Sequence, residues 1–245
     1  MKLEDYVYES WSPDRPGNPF PGHMEIPHYL IQEFRELYKL TESQGQECGY
    51  VLFYEGKSWP IRHDQVVYGD AVSMSIPKSQ SYYNFGNIHA HPSGSIGHSG
   101  GFSAHSMQDL LNFGDVTDRK LFMQFVVSGP KLYAMLFRAG WSRFNADVQK
   151  FANFKKCEMD DESRNYLAQK NFHNRAEFDD KMGSFTDYNA AVRWLDEMKL
   201  GTVGLGKKME ELSISACHDF ARQFGYGFYI GKTEGFGTGR IYLAR

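Results

Sequence analysis

Five of the nine prolines, Pro13, Pro16, Pro19, Pro21 and Pro27, fall within the first 27 of 245 residues. Proline fixes φ and lacks a backbone N–H, so such a stretch can be neither regular helix nor central strand, and residues 1–26 read as an extended Pro-rich arm. Regular structure is expected from Pro27, which stands at a first-turn position. Tyr29, Leu30, Ile31, Phe34, Leu37, Tyr38 and Leu40 then recur at three- and four-residue spacing, the pattern of an amphipathic helix. The polar, Gly-containing run 41–46 ends it.

Glu47 to Tyr54 is a short apolar run rich in β-formers that stops at Glu55-Gly56, so it reads as a buried strand followed by a turn. Residues 61–76 hold further strand-like material, and Phe85-Gly86-Asn87-Ile88-His89 is a strand leading into Pro92. Ser106 to Phe113 has helical spacing at Met107, Leu110 and Leu111. Segments 121–127 and 132–137 form a hairpin across Ser128-Gly129-Pro130-Lys131. Beyond Arg138 the texture shifts to charge and helical periodicity over 147–157, 160–172, 188–199 and 207–224, with strand-like segments at 226–230 and 240–243. The organisation expected is an arm (1–26), a mixed α/β domain of the α+β type (27–145), and a mainly helical C-terminal extension ending in short strands (146–245).

Composition excludes several classes. The chain is 41% hydrophobic and 23% charged, as in ordinary globular proteins, and its formal net charge of -3 lacks the basic excess of a nucleic-acid binder. No run approaches the ~18 apolar residues a membrane span needs. Met1 to Ser10 is acidic and has no apolar signal core. Neither nucleic acid nor membrane is an expected partner, and the cytoplasm is the expected compartment. Cys48, Cys157 and Cys217 are odd in number and widely spaced, which fits reduced thiols. The 19 Phe, 15 Tyr and 4 Trp leave open whether this aromatic load is core or binding surface.

The chemistry concentrates at His89-Ala90-His91-Pro92. Residues two apart on a strand share a face, so His89 and His91 can present two imidazoles to one point. That is a two-point metal anchor; a catalytic zinc takes a third protein ligand and keeps a fourth position open. Ser106-Met107-Gln108-Asp109 opens the next helix, and Asp109, three residues after Ser106, can supply the third ligand. Water activated by such a cation still needs a base, and Glu47, at the mouth of the earlier strand, is the best placed.

Glu47 ahead of Cys48-Gly49 and a β-run, then His89-Ala90-His91-Pro92, then Ser106-Met107-Gln108-Asp109, together resemble the JAMM signature of the JAB/MPN metalloproteases. The resemblance covers roughly residues 27–138. It implies an MPN/JAB-like, cytidine-deaminase-like mixed β-sheet flanked by helices, with Zn2+ bound by His89, His91 and Asp109. It also implies Glu47 as general base and Ser106 as a contact to the oxyanion or the water. The reaction implied is hydrolysis of a peptide or isopeptide bond, with a ubiquitin-like protein or its conjugate as the protein substrate. The departure from the family is length: Ser93 to His105 intervene between the two motifs, with four glycines. Loop closure costs rise slowly with length, so Asp109 need not be displaced. The insertion is open to reading as a lid, a substrate-contacting flap or a disordered excursion, and it contains His98, Ser103 and His105.

Competing readings are a non-catalytic MPN-type scaffold or binding module, and a metal-dependent hydrolase of another class, the barrel type, for which too few strands follow His91. Ser106 also reads as a helix N-cap, and Glu42 and Glu55 are substitutes for Glu47 as base. Gly201 to Lys207 approaches phosphate-loop spacing, but Lys208 stands where the magnesium-binding hydroxyl belongs. A turn between helices explains it. Gly235-Phe236-Gly237-Thr238-Gly239 reads as a hairpin turn. Oligomeric state is not legible.

Overall fold

The structure is a computed structural model that describes residues 1–10, 20–56, 60–69, 84–93, 104–106, 109, 123–136 and 146–244. Its elements in chain order are α1 (Leu3–Ser10), β1 (His23–Glu25), α2 (His28–Gln44), β2 (Cys48–Phe53), β3 (Arg62–His63), β4 (Val67–Tyr68), β5 (Asn84–Ala90), β6 (Met123–Ser128), β7 (Lys131–Leu136), α3 (Ala146–Asn171), α4 (Arg175–Gly183), α5 (Tyr188–Gly201), α6 (Leu205–Phe224), β8 (Gly227–Lys232) and β9 (Arg240–Leu243). The result is a mixed α/β protein.

One sheet runs β1-β9-β8-β7-β6-β5-β2-β3, with β4 also on β2. Of these pairings only β5 with β6 is parallel. Parallel neighbours need a crossover connection. Here it spans 91–122 and contains the S-x-x-D motif. Among the described residues the sheet has one parallel pair, not the succession of parallel strands from which a strand–helix barrel is built.

The two faces of the sheet are settled by register. Tyr50, Ile88, Phe125, Ala134 and Tyr229 lie in one cross-strand row, and Phe34 of α2 packs on Phe125 with ring centroids 5.5 Å apart. The adjoining row, Gly49, His89, Val126 and Tyr133, points to the opposite face by the two-residue alternation of strands. That face carries α6, whose Glu210 accepts a hydrogen bond from Tyr133 Oη at 3.1 Å and pairs with Lys131. The two histidines therefore lie on the face covered by the C-terminal helix.

Several elements differ from their expected form. The stretch 1–26 is not simply an extended arm: Leu3, Tyr6 and Val7, at helical spacing ahead of the prolines, are buried on α1, and β1 pairs with β9. Helix α2 continues past Leu40 because Thr41 is buried, and it stops at Gly45, whose φ of 66° lets its N–H reach the Thr41 carbonyl. Helices expected at 147–157 and 160–172 are one helix, α3. The acidic run at 160–162 starts nothing because no Pro or Gly interrupts the chain there. Helix α4 was not anticipated, although Asn174 caps it by accepting from the Glu177 N–H while Glu177 accepts from the His173 N–H.

The change of texture near residue 145 is not an edge of the sheet. β8 pairs with β7 over six residues, and one core cluster joins Leu3 of α1, Phe125 of β6, Phe220 of α6 and Ile241 of β9. A smaller cluster around Leu167, Phe178 and Leu205 holds α4 and α5 onto α3. The C-terminal aromatics thus have a structural role in two groups, Phe151-Phe220-Phe224-Tyr226 and Phe172-Phe178-Phe185-Trp194. No helix among the described residues is long and apolar enough to cross a membrane.

Candidate metal centre

His89 sits at the C-terminal end of β5, directly opposite Gly49 of β2. Glycine has no side chain there, so on the β2 side the imidazole meets no cross-strand side chain; its neighbour on β6 is Val126. The strand path extends one residue beyond β5, since the His91 N–H donates to the Val127 carbonyl at 3.0 Å. His91 is thereby held on the same face as His89, as the i, i+2 spacing requires. Glu47 immediately precedes β2, its carbonyl accepting from Gly69 N–H at 2.8 Å.

These residues converge. His89 Nε2 and His91 Nε2 are 3.0 Å apart. Asp109 Oδ1 lies 3.2 Å from His89 Nε2, and Asp109 Oδ2 lies 3.6 Å from His91 Nε2. Glu47 Oε1 is 3.9 Å from His91 Nε2. Glu47, His89 and His91 form a buried group whose ligand atoms lie within 4.8 Å of one another and can hold a metal ion. Ligands bonded at the usual zinc distances stand about 3.3 Å apart along the edges of a tetrahedron, so the separations suit one cation.

Electrostatics favour the same conclusion. Glu47, His89 and His91 are 4%, 2% and 1% exposed and the Asp109 side chain 15%, so two carboxylates, one buried and one partly buried, face two buried imidazoles. Burial pushes the His89 imidazolium down, but the Asp109 and Glu47 carboxylates outweigh it and its pKa is raised. For Asp109, burial opposes ionisation, and the two histidines overcome it, holding the carboxyl well below the usual range. Buried charge is costly unless compensated. A divalent cation compensates both carboxylates while leaving both imidazoles neutral, the form that ligates.

Ser106 and Asp109 form a reciprocal pair. Ser106 Oγ accepts from the Asp109 N–H at 3.1 Å, and Asp109 Oδ2 accepts from the Ser106 N–H at 2.6 Å. This is a capping box, so the capping role read for Ser106 is present. The hydroxyl accepts in that bond and retains its own O–H for donation. Of the flanking insertion, 94–103 lies outside the described residues. Its entry is clamped: Glu42 of α2 accepts from Ser93 N–H at 2.6 Å and from Ser93 Oγ at 2.7 Å. That bond occupies Glu42, and Glu55 is exposed.

His105 is fully buried and stands apart from the converging group. Its Nε2 faces the Gln124 carbonyl at 3.2 Å, which makes Nε2 the protonated nitrogen, and Nδ1 has no hydrogen-bond partner among the described residues. Burial above all, with the charge of His89 and His91, pushes its pKa down to about 3. Cys48 has its thiol pushed up by burial, which opposes the thiolate a nucleophile needs. Phe85, on the histidine-bearing strand, is fully buried in the core. Tyr82, Tyr83, Phe102 and His98 lie outside the described residues. No protein-family model, curated protein or solved structure matches the chain.

Proposed function

We propose that the chain is a zinc-dependent peptidase or isopeptidase of the JAB/MPN type, acting on a ubiquitin-like protein or its conjugate. The observation that supports it most strongly is the buried group of Glu47, His89 and His91, with Asp109 3.2 Å from His89 and 3.6 Å from His91, brought together from segments 62 residues apart at the extremes. His89, His91 and Asp109 hold the cation. When bound, it supplies Lewis-acid activation of water and of the scissile carbonyl. Glu47, 3.9 Å from His91, takes the proton of the attacking water and returns it to the leaving amine. Ser106 donates its O–H to the oxyanion, and its Oγ is fixed for this by the Asp109 N–H. The near-neutral net charge suits a protein substrate.

The reading is tested by incubating the protein with a panel of ubiquitin-like conjugates. Glu47→Gln should keep its metal and lose cleavage. Cleavage retained in Glu47→Gln removes Glu47 from the base role. Metal lost in Glu47→Gln makes Glu47 a fourth ligand and the centre a closed structural one, favouring the non-catalytic scaffold.

A further inference from the structure

The segment opening the S-x-x-D motif is held by the C-terminal helix. Ala104 and His105 are fully buried, so their peptide groups need partners within the protein. Helix α6 provides two. The Ala104 N–H donates to Ser213 Oγ at 3.1 Å, and Cys217 Sγ donates to the His105 carbonyl at 3.4 Å. Ser213 is itself fixed, since its hydroxyl donates to the Glu210 carbonyl at 2.9 Å. The Glu210 carboxylate is anchored on β7 by Tyr133 and Lys131, and Tyr133 shares a cross-strand row with His89. One residue after His105, Ser106 begins the reciprocal pair with Asp109, whose carboxylate faces both histidines. Hydrogen bonds from α6, the backbone of 104–106 and the Ser106–Asp109 pair thus connect α6 to the acid of the group, across 109 and 112 positions of sequence at the two α6 contacts.

We propose that Ser213 and Cys217 are positioning residues of the metal centre, fixing Asp109 at the height of the two histidines through the backbone of 104–106. The C-terminal hundred residues then complete the site rather than append to it. This rests on the reading of the four-residue group as a metal centre. Partners behind a ligand typically change metal affinity by ~10–100-fold when removed.

The test is titration of the full-length, chelator-treated protein with Co2+, following the visible absorption of the bound ion, with chelator competition for affinity and the thermal midpoint of the metal-free protein alongside. Ser213→Ala and Cys217→Ala should each weaken Co2+ binding by ~10-fold or more and alter the absorption band, while Ser213→Thr, which keeps the accepting hydroxyl, and Cys217→Ser, which keeps a donor, should restore both. Wild-type affinity and band in both alanine variants overturn the proposal. So does a loss that the conservative variants share in step with their thermal midpoints, which marks packing alone. Should Ser213→Ala fail to fold, the Cys217 pair decides. Absence of Co2+ binding by the wild-type protein overturns the metal centre and the positioning together, whereas binding in every variant alike overturns only the positioning.

Discussion

His105 shows how one buried side chain sets a pH dependence. Its pKa lies near 3 in the folded protein against an ordinary value of 6.5, so the unfolded chain binds a proton over that window that the folded chain does not. Stability contributed by neutral His105 is therefore full above pH 6.5 and falls as pH drops toward 3. His105→Gln keeps a donor for the Gln124 carbonyl and cannot titrate. Urea unfolding of the metal-free protein should show a flatter acid limb in this variant, and an identical limb would contradict the assignment. Ser106 allows a similar separation of roles. Ser106→Asn preserves an N-cap, so stability should stay within about 0.5 kcal/mol of wild type. Loss of the hydroxyl should still lower kcat by ~10²–10³ with KM little changed, and unchanged kcat would leave Ser106 as a cap only. The proximity of His89 to His91 and of Ser106 to Asp109 was legible in the sequence because i, i+2 and i, i+3 spacings are local geometry. Ser213 and Cys217 were not, since a serine and a cysteine on an amphipathic helix look alike whether they face core or site.

At the scale of elements, periodicity carried α2, β2, β5 and the β6–β7 hairpin, whose apolar patterns are long or sharply bounded. It failed at α1, hidden before a proline-rich stretch, and at α4, which buries only Phe178 and is marked by its cap rather than by a stripe. The parallel pairing of β5 and β6 was out of reach, because nothing local specifies which strand a crossover returns to. That pairing is tight at Gly86, where an added Cβ would lie 2.5 Å from the Met123 carbonyl oxygen. Gly86→Ala must push β5 from β6, and the expected loss is about 1–3 kcal/mol, read as a lower thermal midpoint. A midpoint unchanged from wild type would show the strands yield freely there.

Across the whole molecule, one end of the sheet joins strands far apart in sequence: β1 pairs with β9, and β8 covers the edge of β7. The division at residue 145 followed composition, which changes where helices replace strands, whereas the core ignores that line. Truncation after Gly140 should bare β7 and remove α6, giving aggregated protein or no folded core by circular dichroism. A soluble, cooperatively folding fragment would contradict this. The buried group of Glu47, His89 and His91 can hold a metal ion, and whether it does is tested most directly by metal analysis of the purified protein beside His89→Ala plus His91→Ala. Near-stoichiometric zinc in the wild type, lost in the double variant while the fold persists, is the expected result; no zinc in the wild type, or equal zinc in both, would contradict it.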